Sequence, residues 1–133
     1  MTMKKGKILV VDDNKGIRDA LKILLGSCFA QVQTIPSPTT LMTTTEEMMP
    51  DVILLDMNFK TDINSGNEGL YWLSEIKNRW PEMPVVLFTA YADIALAVEG
   101  MKRGASDFIV KPWDNAKLIE TLTSIRDRKD APK

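Results

Sequence analysis

Val52-Ile53-Leu54-Leu55-Asp56 is a run of four aliphatic residues closed by a carboxylate, with Pro50 before it and a polar stretch after it. Consecutive branched aliphatics bounded in this way read as a short strand buried on both faces, as in a parallel sheet. Asp56 then stands where that strand leaves the core. In open α/β sheets the rim at the carboxyl ends of the strands is where ligands bind.

Working outward, the chain repeats this unit. Lys7-Ile8-Leu9-Val10-Val11 is a strand ended by Asp12-Asp13, and Asn14 can cap a helix carried by Ile17, Ala20, Leu21 and Leu24, with Gly26 at its end. Ala30 to Ile35 alternates as an edge strand. Ser37-Pro38 opens a helix from Thr39 to Met48, in which five threonines lower the intrinsic propensity, so Leu41, Met42, Met48 and Met49 must hold it by packing. After Asp56 comes a polar connection, Met57 to Asn67, that is long for a strand-to-helix loop. Leu70, Leu73, Ile76 and Trp80 form the inner stripe of the next helix, stopped by Pro81. Val85-Val86-Leu87-Phe88-Thr89 is the fourth strand. A helix showing Ile94, Ala97, Val98 and Met101 follows and ends at Gly104. Phe108-Ile109-Val110-Lys111 is the fifth strand, cut by Pro112, and Asp114 can cap a last helix carried by Leu118, Ile119, Leu122 and Ile125. Strands alternating with helices predict a parallel sheet covered on both faces, with right-handed crossovers.

The composition narrows the chemistry. The 133 residues suit one domain, and 44% hydrophobic with 26% charged residues is the balance of a soluble globular protein. One cysteine, Cys28, excludes an internal disulfide framework. No run is apolar enough to span a membrane and no signal-peptide core precedes the first strand, so a cytoplasmic location is expected. A net charge of −1 gives no general attraction to nucleic acid or anionic lipid. With no histidine in the chain, Ser-His-Asp or Cys-His catalysis and His-ligated zinc or iron are all excluded.

Each polar strand end has an ordinary reading by itself. Asp12-Asp13 can cap or turn, Asp56 can begin a turn, Thr89 can satisfy a nearby backbone group, Lys111 can be a solvated surface lysine, and Tyr91 can pack half-buried. Jointly they put two acids, an acid, a hydroxyl and a lysine on one edge of one sheet. A doubly wound order 2-1-3-4-5 brings the ends of the first and third strands together at the switch point, collecting Asp12, Asp13 and Asp56 in one crevice. Three ionised carboxylates at that range need a cation or must hold their protons more tightly. All-oxygen ligands favour a hard ion, magnesium first, with manganese able to substitute. Such a site suits phosphoryl transfer: Asp56 attacks in line, the metal and Lys111 draw off charge, and Thr89 donates its hydroxyl to a phosphoryl oxygen.

These residues resemble a known family. Val10-Val11-Asp12-Asp13-Asn14, Ile53-Leu54-Leu55-Asp56-Met57, Phe88-Thr89-Ala90 and Val110-Lys111-Pro112 look like the motifs of two-component response-regulator receiver domains, over roughly Lys5 to Arg126. The resemblance implies an α/β, flavodoxin-like three-layer sandwich, with a receiver over residues 5–126 and a charged tail or linker over 127–133. It implies that Asp56 accepts a phosphoryl group from a sensor histidine kinase or a histidine phosphotransfer protein. Asp13, Asp12 (through water), Asp56 and the Asn58 carbonyl are then the magnesium ligands, and Tyr91 is the aromatic that turns inward on activation. The Lys111-Pro112 bond is expected to be cis. Such a domain is a phosphoacceptor switch, with slow self-dephosphorylation at most, and not a turnover enzyme. It controls an output, here transcription, without itself binding nucleic acid or membrane, and it allows a homodimer on phosphorylation. From the fourth helix through Trp113-Asp114 the chain looks most like receivers of sigma-54-dependent, nitrogen-regulator-type activators, as a stand-alone receiver or the first domain of a longer protein.

The sequence departs from the family after Asp56. Lys60 stands where a proline is expected, and Thr61 to Asn67 lengthen the rim of the pocket before Glu68-Gly69. Two other readings share parts of the pattern. Haloacid-dehalogenase-type phosphatases use Asp-x-Asp after the first strand, whereas here the acids are adjacent. Flavin carriers of the same strand order wrap phosphate after that strand, where Asp12-Asp13 would repel it.

Overall fold

Strands and helices alternate along the chain in the computed structural model, which describes residues 4–57 and 68–128. They are β1 (Lys7–Val11), α1 (Lys15–Leu25), β2 (Gln31–Ile35), α2 (Leu41–Met48), β3 (Val52–Asp56), α3 (Glu68–Arg79), β4 (Val85–Ala90), α4 (Ile94–Lys102), β5 (Asp107–Lys111) and α5 (Asn115–Arg128). The strands form one parallel sheet in the order β2-β1-β3-β4-β5, the doubly wound arrangement expected from the sequence. The long connection after Met57, and Asn58 with it, lies outside the described residues.

Alternation along each strand sorts the core into two layers. Ile8, Val10, Val52, Leu54, Val86, Phe88 and Ile109 face α1 and α5, where they meet Leu21, Leu25, Leu118, Leu122 and Ile125. Leu9, Val11, Ile53, Leu55, Val85 and Leu87 face the other way, onto Leu41 and Met48 of α2 and Leu70, Leu73 and Ile76 of α3. All five residues of β3 are buried, as a central strand covered on both sides requires. Fully burying each such aliphatic contributes roughly 1.5–3 kcal/mol, so the central strands supply much of the driving force.

The helix ends follow the capping residues. Asn14 Oδ1 accepts from Ile17 N at 2.9 Å, and Asp114 Oδ1 accepts from Lys117 N at 3.0 Å. Gly104 carries φ +106, a backbone state that ends α4 and that a β-carbon would strain.

Three helix faces differ from the periodicity. On α4 the buried residues are Ala97 and Gly100, while Val98 and Met101 are 47% and 38% exposed. A β-carbon at Gly100 would run into Leu87 Cδ1, so the small-residue side turns inward because it lets the helix seat closely on β4. On α1, Ala20 is exposed and Leu25 joins Leu21 in the core. The helix expected from Thr39 opens instead as a 3-10 turn over Pro38–Thr40, and Met49 lies just past α2 with φ 46 and half its surface exposed. At the other end α5 runs to Arg128.

Candidate phosphoacceptor site

The two-residue repeat that sorts the core also aims the polar strand ends. Asp12 continues the series Ile8, Val10; Asp56 continues Val52, Leu54; Lys111 continues Ile109. All three therefore emerge on the α1/α5 side, and the strand order sets β1 and β3 side by side beneath them.

Lys111 Nζ lies 2.9 Å from Asp12 Oδ2 and 3.2 Å from Asp56 Oδ1, donating to both carboxylates. Asp12 is 0% and Asp56 1% exposed, while the lysine side chain keeps 21% of its surface. Asp13 joins them: one carboxylate oxygen from each of Asp12, Asp13 and Asp56 lies within 4.8 Å of the others. Two carboxylates at that range repel by about 3 kcal/mol at an effective dielectric constant near 20. Among the described residues, three acids face the one ammonium of Lys111, and every candidate ligand atom is a carboxylate oxygen. That donor set fits a hard divalent cation, and the site opens to solvent through a cleft lined also by Asn14, Lys15, Gly16, Ile17 and Ala90.

Two contacts not anticipated from the sequence fix the β1–α1 turn. The Asn14 amide donates to Asp12 Oδ1 at 2.9 Å, and Arg18 Nη1 donates to the Asp12 carbonyl at 2.8 Å. The signal for Arg18 is its place one turn into α1, where a long basic side chain reaches back to the strand end. Phe88 is a third: the Lys111 ammonium sits over its ring, 4.6 Å from the centroid.

Thr89 and Tyr91 are not gathered into this cluster. Thr89 has the opposite parity to Phe88, and its buried hydroxyl donates to the carbonyls of Ala90 at 3.3 Å and Asp93 at 3.4 Å. Tyr91 is 78% exposed, in a 3-10 turn over Tyr91–Asp93. The Lys111-Pro112 peptide bond is cis, as the resemblance implied. No helix among the described residues is long and apolar enough to cross a membrane.

Comparison with known proteins agrees with this geometry. Residues 8–123 match the family model described as the response regulator receiver domain. In structure the chain is similar to the N-terminal signal receiver domain of a two-component system response regulator from Bacteroides fragilis. The two are 55% identical with a TM-score of 0.84, over 92% of this chain and 98% of that one. It is also similar to NtrX from Brucella abortus, at 30% identity and TM-score 0.85 over 95% of this chain. In sequence it is 33% identical to the DNA-binding transcriptional regulator NtrC of Salmonella typhimurium, over 98% of this chain and 28% of that protein. The chain thus spans less than a third of the length of that relative, and the likeness to nitrogen-regulator-type proteins read from its second half is met. With the family match over residues 8–123 and the likeness to a solved receiver domain over most of both chains, the chain belongs to the family of response regulator receiver domains.

Proposed function

We propose that this chain is a phosphoacceptor switch in which Asp56 takes a phosphoryl group from a phosphohistidine of a sensor kinase or histidine phosphotransfer protein. The observation that carries the reading is the pair of contacts from Lys111 to Asp12 and Asp56, made in a buried acid cluster at the mouth of a cleft. A carboxylate oxygen of Asp56 forms a bond to phosphorus as the phosphorus–nitrogen bond of the donor breaks. The imidazole nitrogen keeps the electron pair and is protonated from solvent. Lys111 is held where negative charge grows on the transferring group, the kind of preorganised stabilisation on which phosphoryl transfer depends. Asp12, Asp13 and Asp56 would hold magnesium, or manganese in its place, with the Asn58 carbonyl as a further ligand. When bound, that ion supplies positive charge against the phosphoryl oxygens.

Thr89 and Tyr91 form the switch in this reading. The Thr89 hydroxyl now bonds the Asp93 carbonyl, at the entrance to α4. To reach a phosphoryl group on Asp56 it must leave that carbonyl, which couples the site to the packing of α4 and to the exposed Tyr91. The product is one phosphoryl group per chain with slow self-dephosphorylation, not sustained turnover. The output is control of transcription in the cytoplasm, through a partner surface or a homodimer, in keeping with the regulators to which the chain is similar. Intact-mass measurement after incubation with acetyl phosphate and magnesium tests this. One added phosphoryl group in the parent and none in Asp56→Asn is expected; equal labelling of both would refute it.

A further inference from the structure

We propose that Phe88 is a positioning residue for this phosphoryl transfer, its ring face holding the Lys111 ammonium where Asp12 and Asp56 need it. The inference rests on the phosphoacceptor reading of Asp56. In the β3–β4 ladder Phe88 is the direct partner of Asp56, and in the β4–β5 ladder Ala90 is the partner of Lys111. Phe88, Ala90 and Lys111 share one face of the sheet, so the ring lies beside the acceptor and beneath the lysine stem. Nζ stands 4.6 Å from the ring centroid, well inside the range of a cation–π contact.

Position matters here because lysine carries its charge on a long, freely rotating stem. The two carboxylates fix the ammonium from one side, at 2.9 and 3.2 Å. The negative face of the ring fixes it from another, where an aliphatic side chain would offer only bulk. Of the apolar residues Val85, Val86, Leu87 and Phe88 that lead up to Thr89, the aromatic one is the one under the charge. Phe88 is itself held: it is 0% exposed, and Trp113 packs on it with ring centroids 5.3 Å apart at 55°. Trp113 is fixed in turn by its Nε1, which donates to Asn115 Oδ1 at 2.8 Å. The ring therefore cannot swing away without disturbing the start of α5.

The test replaces the ring electronically while keeping its shape, with mono- and trifluorinated phenylalanine at position 88, alongside Phe88→Leu. Two quantities are read: the Lys111 Nζ resonance in isotopically labelled protein without a phosphodonor, and the labelling rate with acetyl phosphate and magnesium. Successive fluorination should shift the resonance stepwise and slow labelling in the same order, to about fivefold for the trifluorinated ring. Phe88→Leu should match or exceed that loss; if it does not fold, the shape-preserving rings still decide. A parent that is labelled, with rate and resonance flat across the ring series, would overturn the proposal. A parent that takes no phosphoryl group would instead sink the phosphoacceptor reading, while the resonance series still reports whether ring and ammonium interact.

Discussion

Replacing Lys111 by methionine removes the positive charge from the acid cluster while keeping most of the stem. At an effective dielectric constant near 20, attractions over 2.9 and 3.2 Å are about 6 and about 5 kcal/mol. Much of this is offset by the cost of taking the three groups out of water, since both carboxylates are buried and the lysine is largely so. The net loss is set by the two buried carboxylates deprived of this ammonium, and removal of one partner from such a pair costs about 3–5 kcal/mol. The low end applies, because the cleft leaves Lys111 partly wet. A loss of about 3 kcal/mol is a large share of the roughly 5–15 kcal/mol that holds a domain folded. With a urea slope of about 1–3 kcal/mol per molar, the midpoint should fall by about 1–3 M. Urea unfolding of parent and Lys111→Met, each in chelator and in magnesium, measures this. Magnesium should return a substantial part of the loss in the variant, because the ion supplies the charge that the lysine did. An unchanged midpoint in chelator, or a drop that magnesium leaves untouched, would refute the electrostatic account of the cluster.

Other substitutions test the packing around the site. Thr45 in α2 is fully buried and its hydroxyl has no hydrogen-bond partner among the described residues, so Thr45→Val should stabilise the fold by about 1–2 kcal/mol; a loss of stability by thermal or urea unfolding would contradict this. Gly100→Ala should destabilise by about 1–3 kcal/mol by driving α4 off Leu87, and an unchanged unfolding midpoint would show that α4 is seated less closely than described. Arg126 donates to the Cys28 carbonyl at 2.7 Å and the Lys5 carbonyl at 3.3 Å, and stacks over Phe29 at 5.0 Å. Arg126→Met should therefore cost about 1–3 kcal/mol and loosen the N-terminus of β1, visible as faster amide exchange at Lys7 and Ile8; unaltered exchange there would count against the clamp.

The strands were legible because each is a short apolar run bounded by punctuation, and a buried parallel strand needs little else. Asp12, Asp56 and Lys111 were legible for the same reason, since each is the first polar residue after such a run. Residues whose role depends on a helix's closest neighbour were less so. Periodicity put Ala97, Val98 and Met101 of α4 inside; Ala97 is buried, but packing distance chose Gly100 over Val98 and Met101, and distance between elements is not written in spacing. Thr89 was read as donating its hydroxyl to a phosphoryl oxygen on Asp56; without that group, pleat parity sets its side chain on the other face, where the hydroxyl bonds the Ala90 and Asp93 carbonyls. Phe88 escaped notice because an aromatic in an apolar run reads as core. Its contact with Lys111 follows from the offset between β4 and β5, which the ladder register supplies.

Trapping the phosphoryl group where it lands tests the central claim most directly. Borohydride reduces an aspartyl phosphate to homoserine, which peptide mapping by mass spectrometry then locates. After treatment with acetyl phosphate and magnesium, the account predicts homoserine at position 56 and at neither Asp12 nor Asp13. Reduction at either of those neighbours, or a peptide map with no homoserine from a protein shown to be folded, would contradict it.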